Sequence, residues 1–242
     1  MKKRIVQAAN SILVPCGAKI VSIKSGSFDM KSAIERIAAH SITIRSVIDI
    51  GASDGTWSVE AMDIFPKASF LGIEPLLEWQ KSLERLKRNR DNFDYALCVA
   101  GETDGGHVTM NVADDLVGSS VEGTGGKRRS VPVRSVDALV SEKNLSGPFL
   151  LKFDTHGYEV PILNGAKNTL AQTNVIVMEV YCFTISEHSL RFHEICHYME
   201  GLGFRCYDIA CPILREYDQA FWQMDMLFAR TDSDIFRYAG YR

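Results

Sequence analysis

Two glycines and one acid are the residues whose spacing most plainly suits a chemical task. Residues 47–55 read Val-Ile-Asp-Ile-Gly-Ala-Ser-Asp-Gly. The apolar run 47–50 predicts a buried parallel strand. Gly51 and Gly55 predict a sharp turn in which backbone can approach a ligand closely. Residues 56–62 predict a helix whose first N–H groups are free to meet an anionic group. A second predicted strand, Phe70-Leu-Gly-Ile-Glu74, ends in a carboxylate. It falls about 20 residues beyond the turn, where an acid can grip the two hydroxyls of a ribose. The plainer readings are a tight turn that binds nothing and an acid that caps the next helix. The match between turn and acid favours a nucleoside, with Asp49 ordering the turn or meeting an amino group.

A second group gathers at the carboxyl ends of two later strands, where an open α/β sheet holds its ligands. Asp154 and His156 close the strand predicted at 149–154, and Glu179 lies late in the strand at 175–181. Histidine has the unperturbed pKa best suited to proton transfer near neutrality, and a neighbouring acid can orient it or its substrate. A solvent-facing loop histidine is the alternative. Asp154 and Glu179 also stand where Mg²⁺ could accept carboxylates, waters and substrate together; this is the weaker reading, and no metal site is assigned. His193-Glu194-Ile-Cys-His197 formally matches H-E-x-x-H, the zinc-protease helix. A buried stripe at Phe192, Ile195, Met199 and Leu202 would put both histidines on a polar flank, which makes a zinc hydrolase the distant alternative.

These groups need a frame. Apolar residues at helical spacing over 30–40, the strands at 47–50 and 70–74, a charged amphipathic helix over 76–90 and a strand at 93–99 alternate in the manner of an α/β fold. A short helix at 136–140, the strand 149–154, a helix over 159–170 and the strand 175–181 continue it. A helix over 189–201 and two strands at 204–210 and 224–230 complete it. The last two form a hairpin, which puts one antiparallel strand into a doubly wound, seven-stranded, mostly parallel sheet. Alternation around 105–135 predicts an inserted β-hairpin with a Gly/Ser-rich tip at 118–126. Its basic end, Lys127-Arg-Arg129, either closes a lid over an acidic acceptor or is a solvated hairpin tip. The predicted organisation is an N-terminal arm at 1–28 and a single domain over 29–242. The dinucleotide fingerprint G-x-G-x-x-G is absent, so the turn suits S-adenosylmethionine, which has no pyrophosphate to cradle.

The 242 residues are 46% hydrophobic and 24% charged, as in a soluble globular domain. A net charge of −3 gives no reason to expect nucleic acid or an anionic membrane as partner. Six scattered cysteines without a Cys-x-x-Cys pair suggest free thiols in a reducing compartment. Residues 1–4 resemble the start of a signal peptide, but Gln7, Asn10 and Ser11 break the apolar run. No segment is long enough to span a bilayer, and the expected location is the cytoplasm.

Residues 49–55 resemble motif I of class I S-adenosylmethionine-dependent methyltransferases, with Ser53 at the usual middle glycine. Leu151-Lys-Phe-Asp-Thr-His-Gly-Tyr-Glu159, followed by Val160-Pro-Ile-Leu-Asn-Gly-Ala166, resembles the LKiDxxGxExxxLxGA signature of FkbM-type methyltransferases. Residues 175–180 and 131–137 are similar to the segments that flank it there. The resemblance covers roughly residues 30–230. It implies a Rossmann-like methyltransferase fold with S-adenosylmethionine as cofactor, held by Asp49, Gly51, Ala52, Ser53, Gly55, Glu74 and Leu97. It also implies O-methylation of a carbohydrate, glycan or secondary-metabolite hydroxyl. Such a reaction needs the acceptor oxygen aligned with the methyl group and a base for its proton. Asp154, His156 and Glu179 are the candidates for that work. A scaffold that keeps the cofactor fold without turnover is the alternative. The acceptor and the oligomeric state are not legible.

Overall fold

The computed structural model describes residues 27–122, 126–187 and 189–241, together with 9, 11–13 and 15. Most of the predicted arm at 1–28 and the centre of the 118–126 loop lie outside the described residues. One seven-stranded sheet organises the rest. It is built from β1 (Ser46–Ile50), β2 (Ser69–Glu74), β3 (Phe93–Leu97), β7 (Phe149–Phe153), β8 (Thr173–Tyr181), β9 (Phe204–Leu214) and β10 (Phe221–Arg230). Their order is β3-β2-β1-β7-β8-β10-β9. The pairs from β3 through to β8 are parallel, and β10 runs antiparallel to both of its neighbours. The order reverses between β1 and β7, so a crevice opens where the chain leaves these strands.

Strand alternation divides the apolar side chains into two cores. Ile48, Ile50, Leu71, Ile73, Leu151 and Phe153 face one side. They pack on α4 (Val136–Glu142), α5 (Glu159–Asn164) and α7 (Phe192–Gly201) through Val136, Leu139, Ile162, Leu163, Ile195 and Met199. Val47, Phe70, Leu150, Val175 and Val177 face the other side. They pack on α1 (Met30–Ala39), α2 (Thr56–Ile64) and α3 (Gln80–Asn89) through Ala33, Ile34, Ile37, Ala61, Met62 and Leu83. Helices on both faces explain why the central strands are apolar throughout rather than alternating. Helix starts are set by local side chains: Asp29 accepts from Ser32 N to cap α1, and Ser135 accepts from Ala138 N to cap α4.

The inserted hairpin is present as β5 (His107–Val112) and β6 (Lys127–Arg134), paired antiparallel. The strand expected over 93–99 ends at Leu97. After Cys98, the short β4 (Val99–Ala100) turns away to pair with β6, forming a three-stranded sheet with its own small core of Leu76, Val99, Met110, Val112, Val131 and Val133. The helix expected over 159–170 is broken into α5 and α6 (Lys167–Leu170). A Cβ at Gly165 would lie 2.0 Å from the Gly101 carbonyl oxygen, so the chain at this break is pressed against the turn after β4. The predicted stripe on α7 is narrower than expected: Ile195 and Met199 are buried, whereas Phe192 and Leu202 are exposed.

Gly51 owes its identity to the fold itself. Its φ is +81°, and a Cβ there would meet the Asp154 carbonyl oxygen at 2.1 Å. The glycine lets the turn after β1 lie against the chain leaving β7. Gly51→Ala combines a left-handed backbone with a backbone clash and is expected to destabilise the protein by roughly 3 kcal/mol or more. Urea unfolding monitored by far-ultraviolet circular dichroism checks this; an unchanged midpoint would contradict it.

Candidate active site

The crevice at the carboxyl ends of β1, β2 and β7 holds a cleft of about 690 Å³. Its floor is Ile50, Gly51 and Ser53 of the turn and Ile73, Glu74 and Leu76 at the end of β2. Cys98, Val99 and Ala100 wall one side, and Asp154, His156 and Tyr158 the other. The loop 116–121 from the inserted hairpin lies over it, contributing Leu116, Val117, Ser119, Ser120 and Val121.

Glu74 is almost fully buried, and each of its oxygens takes one backbone N–H: Ser53 N at 2.8 Å on Oε2 and Leu76 N at 2.8 Å on Oε1. Burial holds its carboxyl up to about 7, against those two hydrogen bonds, which lower it. The carboxylate is thus fixed at the cleft with lone pairs to spare. Ser53, at φ +51°, presents its N–H to Glu74. Glycine-like geometry therefore survives at this position without glycine.

Asp49 lies beneath the turn, fully buried. Its Oδ2 accepts from the Ser58 hydroxyl at 2.7 Å, and Lys152 Nζ lies 3.5 Å from its Oδ1. It ties α2 to β1 and does not line the cleft. Ala52 is buried beside Gly72. Gly55 takes φ +88° at the start of α2, where no side chain caps the helix in the usual way. The expectation that all the first N–H groups of this helix are free is met in part, because Asp54 Oδ1 accepts from Thr56 N at 3.0 Å. Leu97 stands outside the cleft, on the opposite face from Cys98, because successive strand residues point to opposite faces. Cys98, Val99 and Ala100 take the wall position, and burial pushes the Cys98 thiol up to about 12, which keeps it neutral.

Asp154, His156 and Glu179 come together in the structure, and Lys152, Glu159, Tyr181 and Gln223 hold them. Lys152 Nζ, buried, donates to Asp154 Oδ2 at 2.9 Å; burial alone would lower its pKa, but Asp49 and Asp154 outweigh this and raise it. Glu159 Oε1 accepts from Gly157 N at 2.9 Å and the Thr155 hydroxyl at 3.0 Å, which shapes the loop that presents His156 at φ +52°. The Tyr181 hydroxyl donates to Glu179 Oε2 at 2.5 Å, and the Gln223 amide donates to Glu179 Oε1. His156 Nδ1 lies 2.8 Å from the Tyr181 oxygen and 3.2 Å from Glu179 Oε2. Its Nε2 lies 2.9 Å from the Val117 carbonyl oxygen.

The Tyr181 proton is committed to Glu179 and a carbonyl only accepts, so His156 carries a proton on both nitrogens in this arrangement. Burial alone would lower its pKa. The hydrogen bond and charge of Glu179, the charge of Asp154 and the Val117 carbonyl outweigh that and carry it up to about 9. Asp154, His156 and Glu179 have potential ligand atoms within 4.8 Å of one another. Glu179 faces Nδ1, however, and Asp154 faces Nε2 at 3.8 Å. Lys152 donates to Asp154, and Glu179 stands beside the imidazole.

His193 and His197 are exposed on α7, and Glu194 is paired with Arg191 at 2.7 Å. The basic end of the hairpin loop is partly neutralised, since Arg129 forms a two-pronged pair with Glu78 at 2.6 and 2.8 Å. Trp57 stands away from the cleft, with Lys152 Nζ 5.8 Å from its ring centre. Among the described residues, no helix is long and apolar enough to cross a membrane.

Among solved structures the chain is similar to a precorrin-6y C5,15-methyltransferase from Geobacter metallireducens, at 10% identity and TM-score 0.44, covering 85% of this chain and 92% of that one. It is also similar to a 1,6-didemethyltoxoflavin-N1-methyltransferase from Burkholderia thailandensis with bound S-adenosylhomocysteine, at 11% identity and TM-score 0.45, covering 84% and 78%. No curated protein matches it in sequence. The methyltransferase FkbM domain matches residues 49–206, which run from Asp49 at the glycine turn through the Asp154–Glu159 loop into β9. With that domain covering more than half of its length, the chain belongs to the FkbM family of S-adenosylmethionine-dependent methyltransferases.

Proposed function

We propose that this protein methylates a hydroxyl group of a carbohydrate, glycan or secondary-metabolite acceptor, with His156 as general base and Glu179 as the partner that orients it. The observation that carries this reading is the His156–Glu179 pair at the mouth of the cleft, with Nε2 turned to the position that Val117 occupies. The domain is taken to span residues 29–242, with residues 1–28 as an arm.

The residues present suit the cofactor. A buried carboxylate with unused lone pairs at Glu74 fits two ribose hydroxyls, and Gly51 and Ser53 keep the turn close to it. Cys98, Val99 and Ala100 offer an apolar wall for a flat base. When bound, S-adenosylmethionine supplies a methyl group on a sulfonium centre for in-line displacement.

The chain's own part is to prepare the acceptor oxygen. An acceptor hydroxyl that displaces the Val117 carbonyl donates to Nε2, and His156 then needs a proton only on Nδ1, where Glu179 and Tyr181 hold it. Losing the Val117 carbonyl removes one of the influences that raise its pKa, a change in the direction of the neutral imidazole. Nε2 takes the hydroxyl proton as the oxygen attacks, and Glu179 stabilises the resulting imidazolium. A groove on the far side of Tyr158, lined also by Asn164 and Tyr198, leaves room for the remainder of a larger acceptor.

Two tests follow. Transfer of a ¹³C-labelled methyl group to a panel of polyhydroxylated acceptors should give the carbon shift of an O-methyl ether; labelled N- or C-methyl product would contradict the hydroxyl assignment. The ribose assignment has a pH signature. Ribose hydroxyls donate to the ionised form of Glu74, whose pKa is held up to about 7 in the free protein. Below that value a proton must be released for binding, so affinity for S-adenosylhomocysteine should be about tenfold weaker at pH 6 than at pH 8. Flat affinity across this range would contradict it.

A further inference from the structure

We propose that Tyr181 is a positioning residue for His156: its hydroxyl, donating to Glu179 and accepting from Nδ1–H, fixes the tautomer that turns Nε2 to the cleft and shares Glu179 Oε2 with the ring. The inference rests on the reading of His156 as base. Tyr181 ends β8 and is 7% exposed. Its oxygen lies between the two groups, 2.5 Å from Glu179 Oε2 and 2.8 Å from His156 Nδ1, while those groups are 3.2 Å apart. A tyrosine oxygen that gives its only proton to a carboxylate can do nothing but accept from a second partner. That fixes the proton on Nδ1 and leaves Nε2 for the acceptor.

The ring is held for the task. Trp222 meets it edge-on at 5.6 Å, and Phe183 stacks on Trp222 at 5.5 Å. The Arg215 guanidinium covers Phe183 at 4.1 Å from its centre. Gln223, opposite Tyr181 across the β8–β10 pair, holds the other oxygen of Glu179, which leaves Oε2 to be shared by Tyr181 and the imidazole. Burial and the charge of Glu179 raise the Tyr181 pKa, so its proton stays in place across the working range. The other charged groups near the pair are Asp154 and Lys152 from the β7 end, Glu159 on α5 and, beyond Glu179, Asp225 on β10.

The test is ¹⁵N NMR of the imidazole in the full chain, assigned by its loss in His156→Asn and titrated with and without S-adenosylhomocysteine. In Tyr181→Phe the carboxylate is free of the phenol and turns wholly to Nδ1. The His156 pKa should rise by about one unit, with the chain still folded and binding of S-adenosylhomocysteine unchanged. Glu179→Gln should lower the His156 pKa, and adding Tyr181→Phe to it should then have little effect, since the hydroxyl acts through the carboxylate. An unchanged His156 titration in Tyr181→Phe, or an equal shift in the Glu179→Gln background, would overturn the proposal. The measurement needs no acceptor. Failure to methylate hydroxyls therefore leaves it readable, and its own failure leaves the cofactor assignment standing.

Discussion

Replacing Glu74 by Gln should weaken binding of S-adenosylhomocysteine by about 100-fold or more while the chain stays folded. Hydrogen bonds to a charged group contribute about 1.5–3 kcal/mol each, and two ribose hydroxyls would share this carboxylate. Losing the charge removes most of both contributions, and the amide must also turn a donor toward one of its present donors. Those donors, Ser53 N and Leu76 N, sit on opposite oxygens at 2.8 Å each. Glutamine keeps an acceptor for one of them. Glu74→Ala leaves both unpaired in a buried turn, and is therefore expected to lower stability as well as affinity. Calorimetric titration alongside thermal unfolding separates the two effects. Unchanged affinity in the Gln variant would refute the ribose assignment.

The second large effect is on turnover. His156→Asn should leave S-adenosylhomocysteine affinity within a few-fold of the parent and reduce methyl transfer by about 10²–10⁴, the usual contribution of a positioned base. Asparagine is the better variant because His156 has φ +52°, a conformation that asparagine adopts far more readily than alanine. The Ala variant would mix backbone strain with loss of the imidazole. Single-turnover transfer of labelled methyl measures the chemical step directly. Full turnover in His156→Asn would remove it as base and shift attention to Asp154, whose carboxylate lies at the same mouth and is paired with Lys152.

The sheet was legible because its strands are buried on both faces, so the runs at 47–50, 70–74, 149–154 and 175–181 are apolar enough to stand out. Glu74 was legible from spacing alone, since the length of one helix and two turns fixes where the second strand ends. The break in the helix after β7 was not, because its cause is the contact of Gly165 with a turn more than sixty residues earlier. Leu97 and Cys98 are neighbours on opposite faces, so a one-residue uncertainty in where β3 ends decides which of them meets the cleft. The hydrogen bonds of Tyr181 and Gln223 to Glu179 were hidden for a related reason. They matter only because β10 pairs antiparallel with β8 in the register that sets them side by side around Glu179. Val117 lies in a loop whose sequence has no period, and only the folded hairpin brings its carbonyl to His156.

The most direct test of the account is calorimetric titration of the purified protein with S-adenosylhomocysteine, with and without a chelator. Binding near one per chain, indifferent to the chelator and lost in Glu74→Gln, is the predicted result. No binding under either condition would contradict the cofactor cleft at Gly51 and Glu74. Binding that the chelator abolishes would contradict the proposal that His156 works as a base without a metal.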